Sequence, residues 1–203
     1  MSNPSSSAIT KLCSADFSVR VAGAAEIYRA GRTPADRAVH AWWTNDEFYS
    51  LLLGSNPSVT VGLAVRRKTF EKIREVNGLP RLAEVPPDQD AEEFELHFPN
   101  GIGLDVLTTK NPGGSGAIAK YLAKFGEGVQ QVEYRCKNVD RATAILKQEF
   151  GVTPVYPTTR PGADGTRVNF FLVTTPDEQK VLIELYEASA SNPSSQDVGY
   201  KLT

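Results

Sequence analysis

The chain has 203 residues, 40% apolar and 23% charged, which is ordinary for a soluble protein with one large or two small domains. A formal net charge of −2 excludes a bulk basic field of the kind that attracts nucleic acid or anionic lipid. No apolar run approaches the roughly 20 residues of a membrane helix. Two cysteines, Cys13 and Cys136, lie far apart and form no disulfide framework, so we expect a reduced, cytoplasmic protein.

Residues 1–57 predict an N-terminal helical extension. Residues 1–9 and 189–203 are rich in Ser, Asn and Pro, which favours frayed tails. After the N-terminal tail, Ser14 is a candidate N-cap of a helix that ends near Gly31. Pro34 then indicates the start of a second helix, because proline is favoured at the first helical position.

Residues 58–109 predict a first βαβββ module. Its elements are, in order, a strand at 59–65, a helix at 66–77, and strands at 81–85, 94–98 and 103–108. Asn100-Gly101 predicts a two-residue hairpin turn between the last two strands. Residues 110–127 then predict a linker, with a glycine run before a short helix at 117–125.

Residues 128–188 repeat the same order of elements. These are a strand at 129–136, a helix at 141–150, and strands at 152–156, 167–173 and 180–186. Asn138 or Asp140 can cap the helix, and Gly151 can end it. The repeat at a spacing of about seventy residues indicates an internal duplication, in which Asp105 corresponds to Glu184.

Four short motifs follow one another in the second module. They are Gly128-Val129 before the first strand, residues 139–142 opening the helix, Arg160-Pro161-Gly162 with Gly165 in a turn, and residues 181–185 in the last strand. Together they resemble one module of the vicinal oxygen chelate superfamily, which includes glyoxalases, extradiol dioxygenases and methylmalonyl-CoA epimerases. The likeness is greatest to the epimerase-like branch. It implies an α+β fold of two tandem βαβββ modules around a cavity, with a metal on the sheet surface.

The resemblance also implies positions for metal ligands. In the superfamily these include a residue on the first strand of each module and an acid on the last strand of the second. Thr60 and Gln131 stand where metal-dependent members usually have histidine, whereas Glu184 keeps the acid. A set of Glu184, Gln131 and Asp105 has only oxygen ligands, which favours Mg²⁺, Mn²⁺ or Ca²⁺ over Zn²⁺. A site without any metal is the alternative, because some superfamily members are metal-free binding proteins.

Strand alternation places polar side chains on one face of the second module. We expect this row to line the cavity; it consists of Gln131, Glu133, Arg135, Glu184 and Tyr186. Glu184 and Glu133 are candidate catalytic residues, and the other three are candidates for binding substrate. The alternative is an ordinary solvated outer face.

Two arginines and two histidines complete the candidates. Arg160 and Arg167 can each grip a carboxylate or phosphate with two hydrogen bonds, although a tight turn with exposed arginines is the alternative. A two-residue turn after residue 99 would put His97 on the face opposite Asp105. His40 becomes a metal ligand only in an alternative register in which residues 38–43 form the first strand.

Two functions are compatible with these residues. The first is an enzyme that removes a proton next to a carbonyl or acyl thioester and stabilises the enolate, as an isomerase, epimerase or lyase. The second is a metal-free protein of the same fold that sequesters a small ligand. In either case we expect a small-molecule partner and neither nucleic acid nor membrane. The oligomeric state stays open, with a homodimer as one candidate.

Overall fold

A computed structural model describes residues 6–52 and 58–189. The helices are α1 (Ser6–Leu12), α2 (Phe17–Ala38), α3 (Asp46–Leu51), α4 (Arg67–Val76), α5 (Ala117–Phe125) and α6 (Val139–Phe150). The strands are β1 (Val59–Ala64), β2 (Glu92–Phe98), β3 (Ile102–Thr108), β4 (Gly128–Arg135), β5 (Arg160–Pro161), β6 (Arg167–Thr174) and β7 (Lys180–Glu187). Single 3-10 turns occupy His40–Thr44, Pro99–Gly101 and Ala163–Gly165.

The seven strands form one curled, mixed sheet in the order β2-β3-β1-β4-β7-β6-β5. In the first half β1 pairs parallel with β3, and β2 pairs antiparallel with β3. In the second half β4 pairs parallel with β7, and β6 pairs antiparallel with β7. The halves join where β1 and β4 pair antiparallel. This arrangement confirms the predicted α+β fold of two tandem modules, while the duplication that could explain it stays a hypothesis.

Two predicted strands are wrong in extent. Residues 81–85 form no strand, and a single backbone hydrogen bond of 3.0 Å joins Ala83 N to the oxygen of Glu93. Residues 152–156 contain only an isolated bridge at Pro154. Pro80 and Pro86 flank the first segment, and Pro154 lies within the second. Because proline has no backbone donor, long ladders are disfavoured at these places.

The convex face of the sheet carries the hydrophobic core. On β7, Val181, Ile183 and Leu185 are buried in this core, and Glu184 between them faces the other way. Helix α4 packs on the first module through Phe70, whose ring centroid lies 4.8 Å from that of Phe94. The sequence alternation therefore separates an apolar face under the helices from a polar concave face.

The N-terminal extension packs on this core, with two differences from the prediction. Helix α2 runs without a break through Gly31 and Pro34, and its N-cap is Asp16 rather than Ser14. A Cβ at Gly31 would lie 2.6 Å from Val61, so this glycine allows the helix to lie close against the sheet. We attribute the unbroken helix to this packing, which outweighs the local preference of proline.

The predicted tails and ends also need correction. Residues 6–9 belong to α1, where Ala8 and Ile9 are buried, so this part of the predicted frayed tail is wrong. Residues 1–5, 53–57 and 190–203, which include parts of the predicted extension and tails, lie outside the described residues. No helix in the described part of the chain has the length and apolarity to cross a membrane. Cys13 and Cys136 are both free thiols.

The hairpin between β2 and β3 has a three-residue turn rather than the predicted two-residue one. Phe98 pairs with Ile102, and Asn100 and Gly101 both have positive φ angles, 64° and 70°. This shifts the pairing by one residue, so Glu95 lies opposite Asp105. A one-residue shift moves every side chain to the other face. The placement of His97 on the face opposite Asp105 is therefore wrong.

Candidate active site

The concave face of the sheet encloses a cavity of about 740 Å³. Both modules contribute to its walls, together with the N-terminus of α5 and the loops near residues 81–90 and 155–166. Carboxyl groups from four strands line it: Glu93 and Glu95 on β2, Asp105 on β3, Glu133 on β4 and Glu184 on β7. Such a concentration of acids in a partly enclosed space makes the cavity the candidate active site.

One amide connects the two acids of the second module. Nε2 of Gln131 donates hydrogen bonds to Oε1 of Glu133 at 3.0 Å and to Oε2 of Glu184 at 2.6 Å. Glu133 and Glu184 are paired in register on the parallel strands β4 and β7. Both hydrogens of the amide are thereby used, and the two carboxyl groups are held side by side.

Gly62 on β1 leaves space for the side chains of Gln131 and Glu133. A Cβ at Gly62 would lie 2.6 Å from Cγ of Gln131 and 3.2 Å from Oε1 of Glu133. Beside Gly62 the β1–β4 register shifts by one residue, as in a β-bulge. Because of this shift, the neighbouring residues Gln130 and Gln131 both line the cavity. The side-chain oxygen of Gln130 has no hydrogen-bond partner among the described residues.

Burial raises the pKa values of two acids to near neutrality. The pKa of Glu133 rises to about 8, chiefly because burial disfavours the charged form; Glu93 and Glu95 raise it further, and the hydrogen bond from Gln131 opposes the rise. The pKa of Glu93 rises to about 7, first through burial and then through repulsion by Asp164 and Glu95. Acid–base catalysis at neutral pH needs groups of this kind.

The pKa values of Glu184 and Asp105 are also raised. Burial raises the pKa of Glu184 well above its usual value, and repulsion by Glu133 and Glu93 adds to it. Burial likewise raises the pKa of Asp105, which is 6% exposed. Since the charge of each acid disfavours ionisation of the others, the cluster titrates as a group.

His97 lies at the open side of the cavity. It is exposed, and Nε2 lies 3.1 Å from Oε2 of Glu95. This hydrogen bond raises the pKa of His97 above its ordinary value. Glu95 and His97 therefore form a solvent-accessible pair at the rim.

The two edges of the curled sheet meet over the cavity. The guanidinium of Arg81 binds Asp164 at 2.5 Å, and the backbone N of Glu84 donates to the same carboxylate at 2.9 Å. In return, the N of Asp164 donates to the oxygen of Glu84 at 3.0 Å. These contacts join the first module to the second on the side away from the β1–β4 junction.

A second group of contacts lies beside the first. Arg160 pairs with Asp88 at 2.9 Å, and its guanidinium carbon lies 4.7 Å from the ring centroid of Tyr156. Nε2 of Gln89 donates to the oxygen of Pro161 at 2.9 Å. Both arginines of the cavity lining, Arg81 and Arg160, are thus engaged with aspartates.

Most of the residues chosen from the sequence come together here. Six line the cavity: Asp105, Gln131, Glu133, Arg160, Glu184 and Tyr186. Arg135 and Arg167 do not line it. Arg167 is on the surface, where it pairs with Asp140 and Glu187. His40 is exposed in a 3-10 turn, which contradicts the alternative register that would make it a ligand.

The predicted metal set does not fit the geometry. Within residues 6–52 and 58–189, no three His, Cys, Asp or Glu side chains converge in a way that could hold a metal ion. The amide nitrogen of Gln131 faces both carboxyl groups, so this side chain offers them hydrogens rather than a ligand oxygen. We therefore derive no step through a metal.

Some lining residues were missed from the sequence, and His97 was assigned to the wrong face. Glu93 and Glu95 were missed, although they alternate with apolar residues along β2 together with His97, and this period-two pattern was a usable signal. Tyr156 and Phe170 form an aromatic contact at 6.0 Å on the cavity wall. The pairing of residues 155 and 170 that brings them together has no local sequence signal.

The mixed sheet of two tandem modules, with its polar concave face, has the glyoxalase-like fold, and solved structures of methylmalonyl-CoA epimerases are similar to it. A methylmalonyl-CoA epimerase from Mycobacterium tuberculosis is similar with a TM-score of 0.55 and 29% identity, over 68% of this chain and 95% of that one. A methylmalonyl-CoA epimerase in complex with methylmalonyl-CoA and NH4+ has a TM-score of 0.52 and 26% identity, over 67% and 97% of the two chains. The Streptomyces coelicolor methylmalonyl-CoA epimerase in complex with 2-nitronate-propionyl-CoA has a TM-score of 0.52 and 25% identity, over 68% and 100%. No family model matches the sequence, and no curated protein matches it significantly.

Proposed function

We propose that this protein is an isomerase that removes and returns the proton on the carbon next to the carbonyl of an acyl thioester. The observation that carries the proposal is the cavity with acids from both modules, two of which, Glu93 and Glu133, titrate near neutral pH. The thioester is suggested by the similar structures, which are epimerases of methylmalonyl-CoA. Inversion at one carbon needs a base on one side and an acid on the other, and the two modules supply one each.

Glu133 is the proposed base of the second module. Its ionised carboxylate accepts the proton from the carbon, and the electron pair of that C–H bond delocalises onto the carbonyl oxygen as an enolate. Gln131 fixes the orientation of Glu133 through the 3.0 Å hydrogen bond. Glu184 shares the same amide and supports this arrangement from β7.

Glu93 is the proposed acid of the first module. In its protonated form it returns a proton to the same carbon from the other side, which completes the inversion. A substrate of the opposite configuration reverses the two roles, and pKa values near 7 and 8 allow either group to hold the shared proton. Tyr186 lines the cavity, and burial raises its pKa, so its phenol stays protonated and is a candidate donor to the enolate oxygen.

The ion pair between Arg160 and Asp88 affects which acyl groups the cavity would bind. Arg160 would have to leave Asp88 before it could bind a second carboxylate, such as that of a malonyl group. We therefore expect thioesters with a neutral acyl group to be processed at least as well as methylmalonyl thioesters.

Deuterium exchange tests the proposal. The protein is incubated in deuterated water with a 2-methylacyl-CoA and, separately, with methylmalonyl-CoA, and mass spectrometry follows one deuterium entering at the carbon next to the carbonyl. Glu133→Gln should lower the exchange rate by about 100- to 10,000-fold for the enantiomer whose proton faces Glu133, the usual contribution of a general base. Glu149→Gln on the exposed side of α6 is the matched control and should exchange normally.

Two results would decide against the proposal. Absence of exchange with every thioester by the unaltered protein contradicts it. Tight binding of a thioester without exchange would favour instead a protein that sequesters such ligands.

A further inference from the structure

A second depression lies beside α5, away from the acids. Its volume is about 370 Å³. Ala117 and Ile118, at the start of α5, line the acidic cavity, whereas Ala119, Leu122 and Ala123 line this second depression. We refer to it as the basic groove, because Arg66, Arg67 and Lys68 form its other wall.

The basic groove has cations that are free to bind a ligand. Arg67 pairs with Glu92, but Arg66 and Lys68 are exposed, and neither makes an ion pair with any described residue. The first turn of α4 contains no acidic residue. Two further acids lie nearby and are already engaged: Glu127 accepts a hydrogen bond from the backbone N of Arg66 at 2.9 Å, and Asp90 accepts one from the hydroxyl of Thr109 at 2.7 Å.

The neighbouring segment adds to the positive charge. Residues 110–125 include Lys110, Lys120 and Lys124 and no acidic residue. In a chain with a formal net charge of −2, this is a local excess of positive charge next to an acidic cavity. Anions are attracted to the first region and repelled by the second.

The groove and the cavity are close enough for one extended ligand. Leu107 lines the cavity and Thr109 lines the groove, two positions apart along the chain at the end of β3, which corresponds to roughly 7 Å. The groove also has an apolar floor formed by Pro112, Leu122 and Ala123. Cations next to an apolar surface suit a phosphorylated nucleotide, whose base packs while its phosphates pair.

We infer that the basic groove binds the adenosine 3′,5′-bisphosphate end of a coenzyme A thioester whose acyl end occupies the acidic cavity. Arg66 and Lys68 pair with the phosphates, and the pantetheine arm passes the N-terminus of α5. This assignment rests on the proposed function, since it takes the substrate to be a thioester of coenzyme A. It explains how a phosphate-rich substrate is used by a protein with an acidic cavity.

The test compares a full and a truncated thioester of the same acyl group. Arg66→Ala combined with Lys68→Ala should raise KM for the coenzyme A thioester about tenfold or more, as expected for lost charge-assisted contacts, with kcat unchanged. KM for the N-acetylcysteamine thioester, which lacks the nucleotide, should not change. Arg29→Ala combined with Lys147→Ala, two exposed sites that line neither depression, is the matched control.

Direct binding separates this inference from the proposed function. Calorimetry should show that adenosine 3′,5′-bisphosphate binds the unaltered protein and loses about tenfold in affinity for the double variant. An unchanged KM for the coenzyme A thioester, or an equal rise for both thioesters, overturns the groove assignment while exchange activity stands. If neither thioester exchanges, the proposed function fails, and the calorimetry alone decides whether the groove binds the nucleotide.

Discussion

The two modules have the same strand pairing but contribute opposite features to the cavity. Register makes Gly62 of the first module the counterpart of Glu133 in the second, because each pairs with the acid on the last strand of its own module. Those acids, Asp105 and Glu184, also correspond. The central strand of the first module is thus small where that of the second is charged.

This difference shows how a pseudo-symmetric fold can hold an asymmetric site. The side chains of Gln131 and Glu133 extend over β1, and they fit because Gly62 has no side chain. The first module places its acids further away, as Glu93 and Glu95 on β2. One module therefore provides space, and both provide acids that flank it.

The largest expected effect comes from filling that space. Gly62→Ala places a methyl group 2.6 Å from Cγ of Gln131, which must shift and take Glu133 with it. We expect exchange to fall about 100-fold, since small misplacements of catalytic groups have effects of this size. The free energy of unfolding should fall by about 1–3 kcal/mol, as in other overpacked sites.

The control for this substitution is Gly113→Ala. A Cβ at Gly113 meets no atom within 4 Å, so both exchange and stability should stay near those of the unaltered protein. Normal exchange by the Gly62 variant would show that the difference between the modules is unimportant for the site.

The pH dependence of stability is the next effect in size. The pKa of Glu133 is about 8 in the folded protein and near 4.5 when unfolded, so the folded state binds its proton more tightly. Stability is therefore greatest below about pH 4.5 for this group and decreases as pH rises toward 8. The unaltered protein should lose unfolding free energy as the pH rises from about 6 to about 9. In the Glu133→Gln variant this loss should be smaller by on the order of 2 kcal/mol.

Denaturant titrations at several pH values measure this effect. Glu149→Gln, an exposed acid on α6, serves as the control and should keep the full pH dependence. Identical pH profiles for the unaltered protein and the Glu133 variant would mean that Glu133 is ionised in the folded state at neutral pH.

The smallest expected effect concerns an arginine outside the cavity. Arg167→Ala removes surface ion pairs with Asp140 and Glu187, which should lower stability by less than about 1 kcal/mol. Exchange should stay within about twofold. Arg160→Ala is the matched comparison, because Arg160 lines the cavity and should change KM. If Arg167→Ala lost more exchange than Arg160→Ala, the conclusion that Arg160 rather than Arg167 belongs to the site would be wrong.

The sequence predicted those parts that depend on local alternation. The placement of Glu184 followed from the apolar residues on either side of it, and Gln131 and Glu133 followed in the same way. The three-residue turn after Phe98 could not be distinguished from a two-residue turn at Asn100-Gly101, and that one residue decided the side of His97. The irregularity beside Gly62 and the contact of residues 81–89 with 160–164 depend on long-range pairing, for which the sequence has no local signal.

The most direct test of the two-sided site compares exchange from the two enantiomers of one thioester. In deuterated water, Glu133→Gln should lose exchange from one configuration while keeping it from the other, and Glu93→Gln should show the opposite preference. Each variant lacks the base for one face only, so the two losses should be complementary. Equal loss from both enantiomers in one variant, with none in the other, would contradict the claim that each module supplies one of the two acid–base groups.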